Sequence, residues 1–187
     1  MQKELNYDGL LKTLLKHKKI LLIHGRSLNK TVFFKKLGDI SSVNFFRFSN
    51  FTENPKLLDV LNGLDVYRRS QATLILAVGG GTAIDIAKLI KFYSDSELKF
   101  EKDFPLKNHI CSSKCILIAV PTTFGTGSEA THFAVLYVNG EKHSISDKAI
   151  LPNFYLLDSV LGDSLPIEFK ASTCLDALCQ GIESFWS

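Results

Sequence analysis

Residues 74–88 of this 187-residue chain read Leu-Ile-Leu-Ala-Val-Gly-Gly-Gly-Thr-Ala-Ile-Asp-Ile-Ala-Lys. A short apolar run typical of a buried strand meets three glycines, and a segment with helical periodicity follows at once. Gly79, Gly80 and Gly81 lack a Cβ atom, so the backbone can turn tightly there and lie close to a ligand. The helix is predicted to begin at about Thr82, where free N–H groups and the positive end of the helix dipole make an anion site. The stretch therefore predicts phosphate binding, with a nucleotide as the expected ligand.

The same stretch has a plainer interpretation as a tight turn between a strand and a helix. It is neither the complete G-x-G-x-x-G fingerprint nor a P-loop with Gly-Lys-Ser/Thr, and short glycine motifs also occur without a ligand. Asp85 has a structural interpretation as well. It lies three residues after Thr82, where a first-turn carboxylate can cap N–H groups and favour the helix dipole.

Composition and charge exclude several classes of protein. Hydrophobic residues make up 45% of the chain, which is enough for a substantial core. A net charge of +3 is too mild to indicate nucleic acid or an anionic membrane as a partner. No segment approaches the ~20 apolar residues of a membrane span, and the polar N-terminus lacks a signal-peptide core, so a cytoplasmic location is expected. No Cys-x-x-Cys pair occurs, so the four cysteines are expected to be free thiols rather than zinc ligands.

Apolar strand-like runs alternate with helix-periodic segments along the chain. Strands are predicted at 20–23, 43–48, 74–78, 115–120, 132–138 and 155–158, and helices at 7–16, 31–37, 56–69, 82–92 and from 166 onward. This alternation predicts an α/β fold, a Rossmann-like and mainly parallel sheet with flanking helices. Asn139-Gly140 marks a hairpin turn, and residues 94–113 are predicted to form a surface loop. In such sheets ligands bind beyond the carboxyl ends of the strands, where the glycine stretch and the segment after Val120 both lie.

Two further segments carry polar groups that suit a binding site. Residues 121–131 read Pro-Thr-Thr-Phe-Gly-Thr-Gly-Ser-Glu-Ala-Thr and offer many hydroxyl and N–H donors. Asp176 and Gln180 are four residues apart on a predicted helix, so an aspartate and an amide oxygen share one face and can approach one cation. Glu183 follows on nearly the same side. Taken singly, the first segment is also typical of a polar loop and the second of a solvated helix face.

The order and spacing of these segments resemble the iron-containing (group III) alcohol dehydrogenase family, of which the chain is similar to the N-terminal half. The resemblance runs from about residue 20 to residue 187 and includes the motif Asp-Ala-Leu-x-x-x-Ile-Glu at 176–183. It implies a Rossmann-like NAD(P)-binding domain at 1–165. It also implies that 166–187 begin an all-helical domain, the remainder of which this chain lacks and which holds a divalent metal, usually Fe²⁺ or Zn²⁺.

The resemblance implies that ten residues surround the cofactor, namely Gly79, Gly80, Gly81, Thr82, Asp85, Thr122, Thr123, Thr126, Ser128 and Lys142. The glycines and Thr82 would cradle the pyrophosphate, and Lys142 matches a family lysine that points towards the cofactor. Asp176 would be the first metal ligand, and Gln180 stands where most metal-dependent members have histidine. An amide oxygen is a weaker donor than imidazole and would weaken Zn²⁺ or Fe²⁺ binding. Gln180 together with 183–187 resembles a subgroup that includes phosphonoacetaldehyde reductases.

The implied activity is hydride transfer between NAD or NADP and a small alcohol or aldehyde, with the metal polarising the substrate oxygen. No residue stands out as a dedicated general acid or base. Because two histidine ligands of the family lie beyond residue 187, we expect a truncated form that binds cofactor but turns over little. The alternatives are a nucleotide-binding fragment without catalysis, and an enzyme like dehydroquinate synthase or glycerol-1-phosphate dehydrogenase. A homodimer is compatible with the resemblance.

Arg47, at the end of the second predicted strand, is a candidate for binding the 2′-phosphate of NADP.

Overall fold

The computed structural model describes residues 2–25, 28, 31–96, 111–163 and 165–186. Its strands are β1 (Lys3–Glu4), β2 (Lys19–His24), β3 (Asn44–Phe48), β4 (Leu74–Gly79), β5 (Ile116–Pro121), β6 (Phe133–Val138), β7 (Glu141–Ser146) and β8 (Phe154–Tyr155). Its helices are α1 (Tyr7–Leu14), α2 (Val32–Gly38), α3 (Leu57–Ser70), α4 (Gly81–Tyr93) and α5 (Ile167–Trp186). Six of the strands form one sheet in the order β1-β8-β5-β4-β2-β3, and every pair in it is parallel. The prediction of an α/β fold with a mainly parallel sheet is therefore confirmed.

The three central strands explain why their sequences are almost wholly apolar. β2, β4 and β5 are covered on both faces, and a strand of that kind is a continuous hydrophobic run. Alternate side chains belong to two cores: Leu21 and Ile75 pack with α3 and α4, whereas Leu22 and Leu76 pack with α1 and α2. Each such buried side chain contributes about 1.5–3 kcal/mol. The core therefore holds the carboxyl ends of these strands together at one edge.

Helix α4 is the most enclosed helix that the structure describes. It packs against the sheet, α3 and the hairpin formed by β6 and β7. It also crosses α3 so closely that a Cβ atom on Gly63 would overlap the side chain of Ile90. The amino end of α4 is thereby fixed relative to the ends of β4 and β5.

The hairpin turn predicted at Asn139-Gly140 is confirmed. β6 and β7 are antiparallel, and φ is 50° at Asn139 and 84° at Gly140. Two consecutive left-handed residues are what a type I′ turn requires, and asparagine followed by glycine adopts them at low cost. The hairpin is separate from the main sheet and covers α4.

Two details of the strand predictions are wrong. The strand predicted at 155–158 keeps only Tyr155, because the chain then leaves the sheet and Asp158 accepts a hydrogen bond from the Val160 amide at 3.0 Å, capping a short turn. Strand β1 is absent from the predictions, since two polar residues carry no periodicity; it forms because Lys3 and Glu4 pair with Phe154 and Tyr155.

Helix α5 begins directly after Pro166, as predicted, and none of its described residues is buried. The division of the chain at 165/166 stays a prediction. Most of the predicted loop at 94–113 lies outside the described residues. No helix among the described residues is long and apolar enough to cross a membrane. The four cysteines are free, Cys111 and Cys115 being buried and Cys174 and Cys179 exposed.

Candidate cofactor site

The three glycines at the end of β4 have ordinary backbone angles. Gly80 is the N-cap of α4 with φ −74° and ψ −174°, and the glycines described with positive φ lie elsewhere, at Gly127 and Gly140. The glycines are needed for close approach instead. A Cβ atom on Gly80 would lie 3.1 Å from Thr123 Oγ1, and one on Gly81 would lie 3.1 Å from Thr126 Cγ2. The missing side chains thus let the segment after β5 pack directly against the glycine turn.

The amino end of α4 carries amides that no helical carbonyl can satisfy. Gly80 O accepts from Ala83 N at 3.0 Å and from Ile84 N at 3.3 Å, whereas Gly81 and Thr82 precede the first helical hydrogen bonds. The first turn contains no acidic residue, so no carboxylate of its own occupies this end. Since the helix dipole adds partial positive charge here, the position suits a phosphate.

This helix end opens into a cleft made of two adjoining cavities. The larger, about 890 Å³, reaches from Gly25 and the segment after β3 to Thr123. The second, about 650 Å³, lies between α4, the hairpin and α5. Both are lined by Asn54, Gly81 and Thr82. Asn54, where the two cavities meet, has a φ of 61°, a left-handed conformation that asparagine adopts more readily than most residues.

Of the predicted threonines, Thr123 lines the larger cavity and Thr126 the second, whereas Thr122 lines neither; the predicted Ser128 also lines the second cavity. Thr122 donates its amide to Gly79 O at 3.0 Å, which ties the segment after β5 to the glycine turn. Thr126 lies at the surface, and its Oγ1 accepts from Ser128 N at 3.3 Å. Ser128 is buried, and its hydroxyl donates to Asp85 Oδ1 at 2.5 Å.

The interpretation of Asp85 as a helix cap is wrong. No side chain caps α4, and the carboxylate of Asp85 accepts from Ser128 and from the Val135 amide at 3.1 Å. Burial raises the pKa of this carboxyl, and the two hydrogen bonds together with the nearby Lys88 ammonium partly offset that rise. Asp85 still borders the second cavity, and its side chain is 15% exposed.

Sequence reasoning missed Lys88. Its ammonium is fully buried and donates to Ser128 Oγ at 3.2 Å, Thr131 Oγ1 at 3.0 Å and Phe133 O at 2.7 Å. Burial lowers the pKa of Lys88 to about 8, although Asp85 and Glu129 oppose that shift. The available signal was a lysine directly between two apolar pairs, Ile86-Ala87 and Leu89-Ile90, in the middle of a helix.

The remaining predicted residues border the second cavity. Lys142 lies on β7 opposite Tyr137 and is exposed. Gln180 Nε2 donates to Asp176 Oδ1 at 3.0 Å, so the two side chains are neighbours on α5. Among the described residues no group of three or more His, Cys, Asp or Glu side chains is placed to hold a metal ion. Asp176 and Gln180 alone therefore do not make a metal site.

Arg47 does not line the cleft. Its guanidinium lies 4.6 Å from the centre of the Phe34 ring, a cation–π arrangement. It borders a separate cavity beside α2 rather than the one that contains Gly80 and Gly81. The geometry gives no support to a contact between Arg47 and a ribose phosphate in this cleft.

Comparison with known proteins places this geometry in a family. The family model of iron-containing alcohol dehydrogenase matches residues 6–159. An alcohol dehydrogenase from Thermococcus barophilus is 40% identical over 124 residues, which are 63% of this chain and 33% of that protein. An NADPH-dependent butanol dehydrogenase from Clostridium saccharobutylicum is 31% identical over 183 residues, covering 94% of this chain and 47% of the relative.

Solved structures agree with the family match. The crystal structure of sulfoacetaldehyde reductase from Bifidobacterium kashiwanohense in complex with NAD⁺ superposes with a TM-score of 0.88 at 25% identity, covering 100% of this chain and 52% of that one. A 1,3-propanediol oxidoreductase gives a TM-score of 0.81 at 27% identity, covering 95% and 49%. The chain thus spans about half the length of these solved structures. It belongs to the iron-containing alcohol dehydrogenase family.

Proposed function

We propose that the chain is the cofactor-binding part of an NAD(P)-dependent alcohol dehydrogenase or aldehyde reductase. The observation that carries this proposal is the amino end of α4, which opens into the cleft with free amides and no acidic residue in its first turn. A pyrophosphate carries the charge that such an end attracts. The NAD⁺ complex of the similar sulfoacetaldehyde reductase supports a dinucleotide as the ligand.

The described residues divide the work of binding. The amides of Gly81 and Thr82 would bind phosphate oxygens, and Thr123 would offer its hydroxyl on the facing side of the same cavity. Lys142 would bring a positive charge to the second cavity. When bound, the nicotinamide ring donates or accepts a hydride at the substrate carbon.

Asp176 is the residue that we propose as a ligand of a divalent metal. Its carboxylate, with the Gln180 amide beside it, would supply part of the coordination sphere. One carboxylate and one amide are too few ligands to hold Fe²⁺ or Zn²⁺ without further groups. Membership of the subgroup with phosphonoacetaldehyde reductases stays a prediction, and the proposal covers both NAD and NADP.

A titration with NADH and NADPH by calorimetry tests the proposal. Thr82→Glu places a carboxylate where the pyrophosphate would bind, so we expect cofactor binding to fall at least about tenfold while the helix dipole keeps the variant stable. Val32→Glu is the matched control. Val32 is the first residue of α2, is exposed, and lines neither cavity of the cleft. Absence of binding by the unchanged protein, or equal affinity for both variants, would refute the proposal.

A second candidate function uses the same site without turnover. It is favoured by one observation: the described residues place only one carboxylate, Asp176, and one amide, Gln180, at the expected metal position. Nucleotide binding combined with absent aldehyde reduction in the presence of Fe²⁺ or Zn²⁺ would support this candidate for the 187-residue chain. Robust metal-dependent reduction would exclude it.

A further inference from the structure

Helix α4 carries two buried lysines, one turn apart, whose surroundings differ. Lys88 is 0% exposed and Lys91 is 3% exposed. Lys91 extends towards β5 and β8, where its ammonium donates to Asn153 Oδ1 at 3.1 Å. Lys88 extends towards the cleft side of the helix. An ammonium group is costly to bury, and a methionine would fill similar space at lower cost, so the cation at each position needs a reason.

The contacts of Lys88 reach two separate parts of the cleft. Its ammonium donates to Ser128 and Thr131 in the segment after β5, and to the carbonyl of Phe133 at the start of β6. These three acceptors match the three protons of an ammonium group. Lys88 therefore has no proton left for a ligand and acts through the groups that it holds.

The groups bound by Lys88 also form hydrogen bonds that connect the walls of the cleft. Ser128 donates its hydroxyl to Asp85, and its amide donates to Thr126 Oγ1. Asp85 accepts from the Val135 amide in β6, so the carboxylate fastens the hairpin to α4. The hairpin carries Lys142 on its second strand.

Charge strengthens this arrangement. The Lys88 ammonium lies 4.0 Å from Asp85 Oδ1, and a carboxylate at that distance is favoured in its ionised form. An ionised Asp85 can accept from Ser128 and Val135 at the same time, whereas a protonated one would present an O–H to one of these donors. Removing the cation would therefore loosen both hydrogen bonds at once.

We propose that Lys88 is a positioning residue: it fixes the positions of the segment after β5 and of the hairpin relative to the amino end of α4. The inference rests on the proposed function for its effect on cofactor, while its effect on the protein can be measured without any ligand. Lys91 offers a matched control, because it is a buried lysine on the same helix with a partner outside the cleft.

The test compares Lys88→Met with Lys91→Met. Amide hydrogen exchange reports the first effect: exchange of the Val135 and Ser128 amides is expected to speed up about tenfold or more in Lys88→Met and to stay near the unchanged protein in Lys91→Met. Calorimetry with NADH, well below both melting temperatures, reports the second. We expect Kd to rise about tenfold for Lys88→Met and less than about twofold for Lys91→Met, even where both melting temperatures fall alike.

The outcomes separate the two proposals. If the unchanged protein binds no NADH, the proposed function fails, and the exchange data still decide the role of Lys88. Exchange at Val135 and Ser128 that is as slow in Lys88→Met as in the unchanged protein overturns the inference. If Lys88→Met does not fold, Thr131→Val removes one acceptor only. It is expected to speed the same two amides about threefold, and no change in it counts against the inference.

Discussion

Gly79 faces Ala83 so closely that a Cβ atom on Gly79 would lie 2.7 Å from the Cβ of Ala83. At Gly81 the corresponding contact, to Thr126 Cγ2, is 3.1 Å and involves an exposed side chain that can move. We therefore expect Gly79→Ala to lower the free energy of unfolding by about 1–3 kcal/mol and Gly81→Ala by less than about 1 kcal/mol. Urea denaturation measures both.

The same two variants separate folding from binding. Gly81→Ala displaces Thr126 at the border of the cleft, so its Kd for NADH is expected to rise about fivefold or more although the protein stays folded. Equal stability losses for the two variants would contradict the expected difference between the contacts at Gly79 and Gly81. Unchanged NADH affinity in Gly81→Ala would show that Thr126 does not shape the site.

The buried ammonium of Lys88 predicts a pH dependence of stability. Its pKa is about 8 in the folded protein, against an ordinary value of 10.5. Between these pH values the unfolded chain binds more protons, so the free energy of unfolding rises with pH. Relative to Lys88→Met, the unchanged protein should gain about 2 kcal/mol between pH 7 and pH 9.5. A flat or falling difference in denaturation midpoints would contradict the lowered pKa.

Gly125 sets the contact between the segment after β5 and α5. A Cβ atom there would lie 2.5 Å from Thr173 O and 3.1 Å from Asp176 Oδ2. Because the first neighbour is backbone, we expect Gly125→Ala to push α5 away and to cost about 1–3 kcal/mol in urea denaturation.

Gly181 provides the control for that experiment. It lies inside α5, and a Cβ atom added to it would meet nothing within 4 Å, so Gly181→Ala should stabilise the helix by about 0.5–1 kcal/mol. Destabilisation by Gly181→Ala would mean that α5 is more closely packed in solution. A neutral Gly125→Ala would mean that the helix tolerates displacement.

The choice between NADH and NADPH should not depend on Arg47. Its guanidinium stacks on Phe34 and lies outside the cleft. In calorimetric titrations Arg47→Ala is expected to change both affinities by less than about twofold, in keeping with the loss of an exposed cation–π contact only. A selective loss of NADPH affinity would instead favour Arg47 as the residue that reads the 2′-phosphate.

The central strands were predictable because they are covered on both faces, and so their apolar runs at 20–23 and 74–78 are continuous. β1 was not predictable, because its two polar residues become a strand only by pairing with Phe154 and Tyr155, some 150 positions away. The predicted end of β8 was wrong for a local reason. The side chain of Asp158 accepts a hydrogen bond from the Val160 amide and forms a turn, and a pattern of apolar residues does not show such a turn.

The candidate site also has one part that the sequence predicts and one part that it does not. The anion-binding end of α4 follows from three glycines before a helix, a local pattern. The roles of Asp85 and Lys88 depend on Ser128 and Val135, at least 40 positions along the chain. The apolar residues beside Lys88 indicate burial, but no local pattern identifies the partners of either side chain. The spacing of Asp85 from Thr82 fits a helix cap, yet the hairpin and Ser128 supply its partners instead.

The two cavities meet at Asn54, Gly81 and Thr82, and this has a consequence for the size of the ligand. A molecule confined to one cavity would contact the lining of that cavity alone. An elongated molecule that crosses these three residues would contact both linings and bury more of its surface. The cleft would therefore favour ligands long enough to span the crossing.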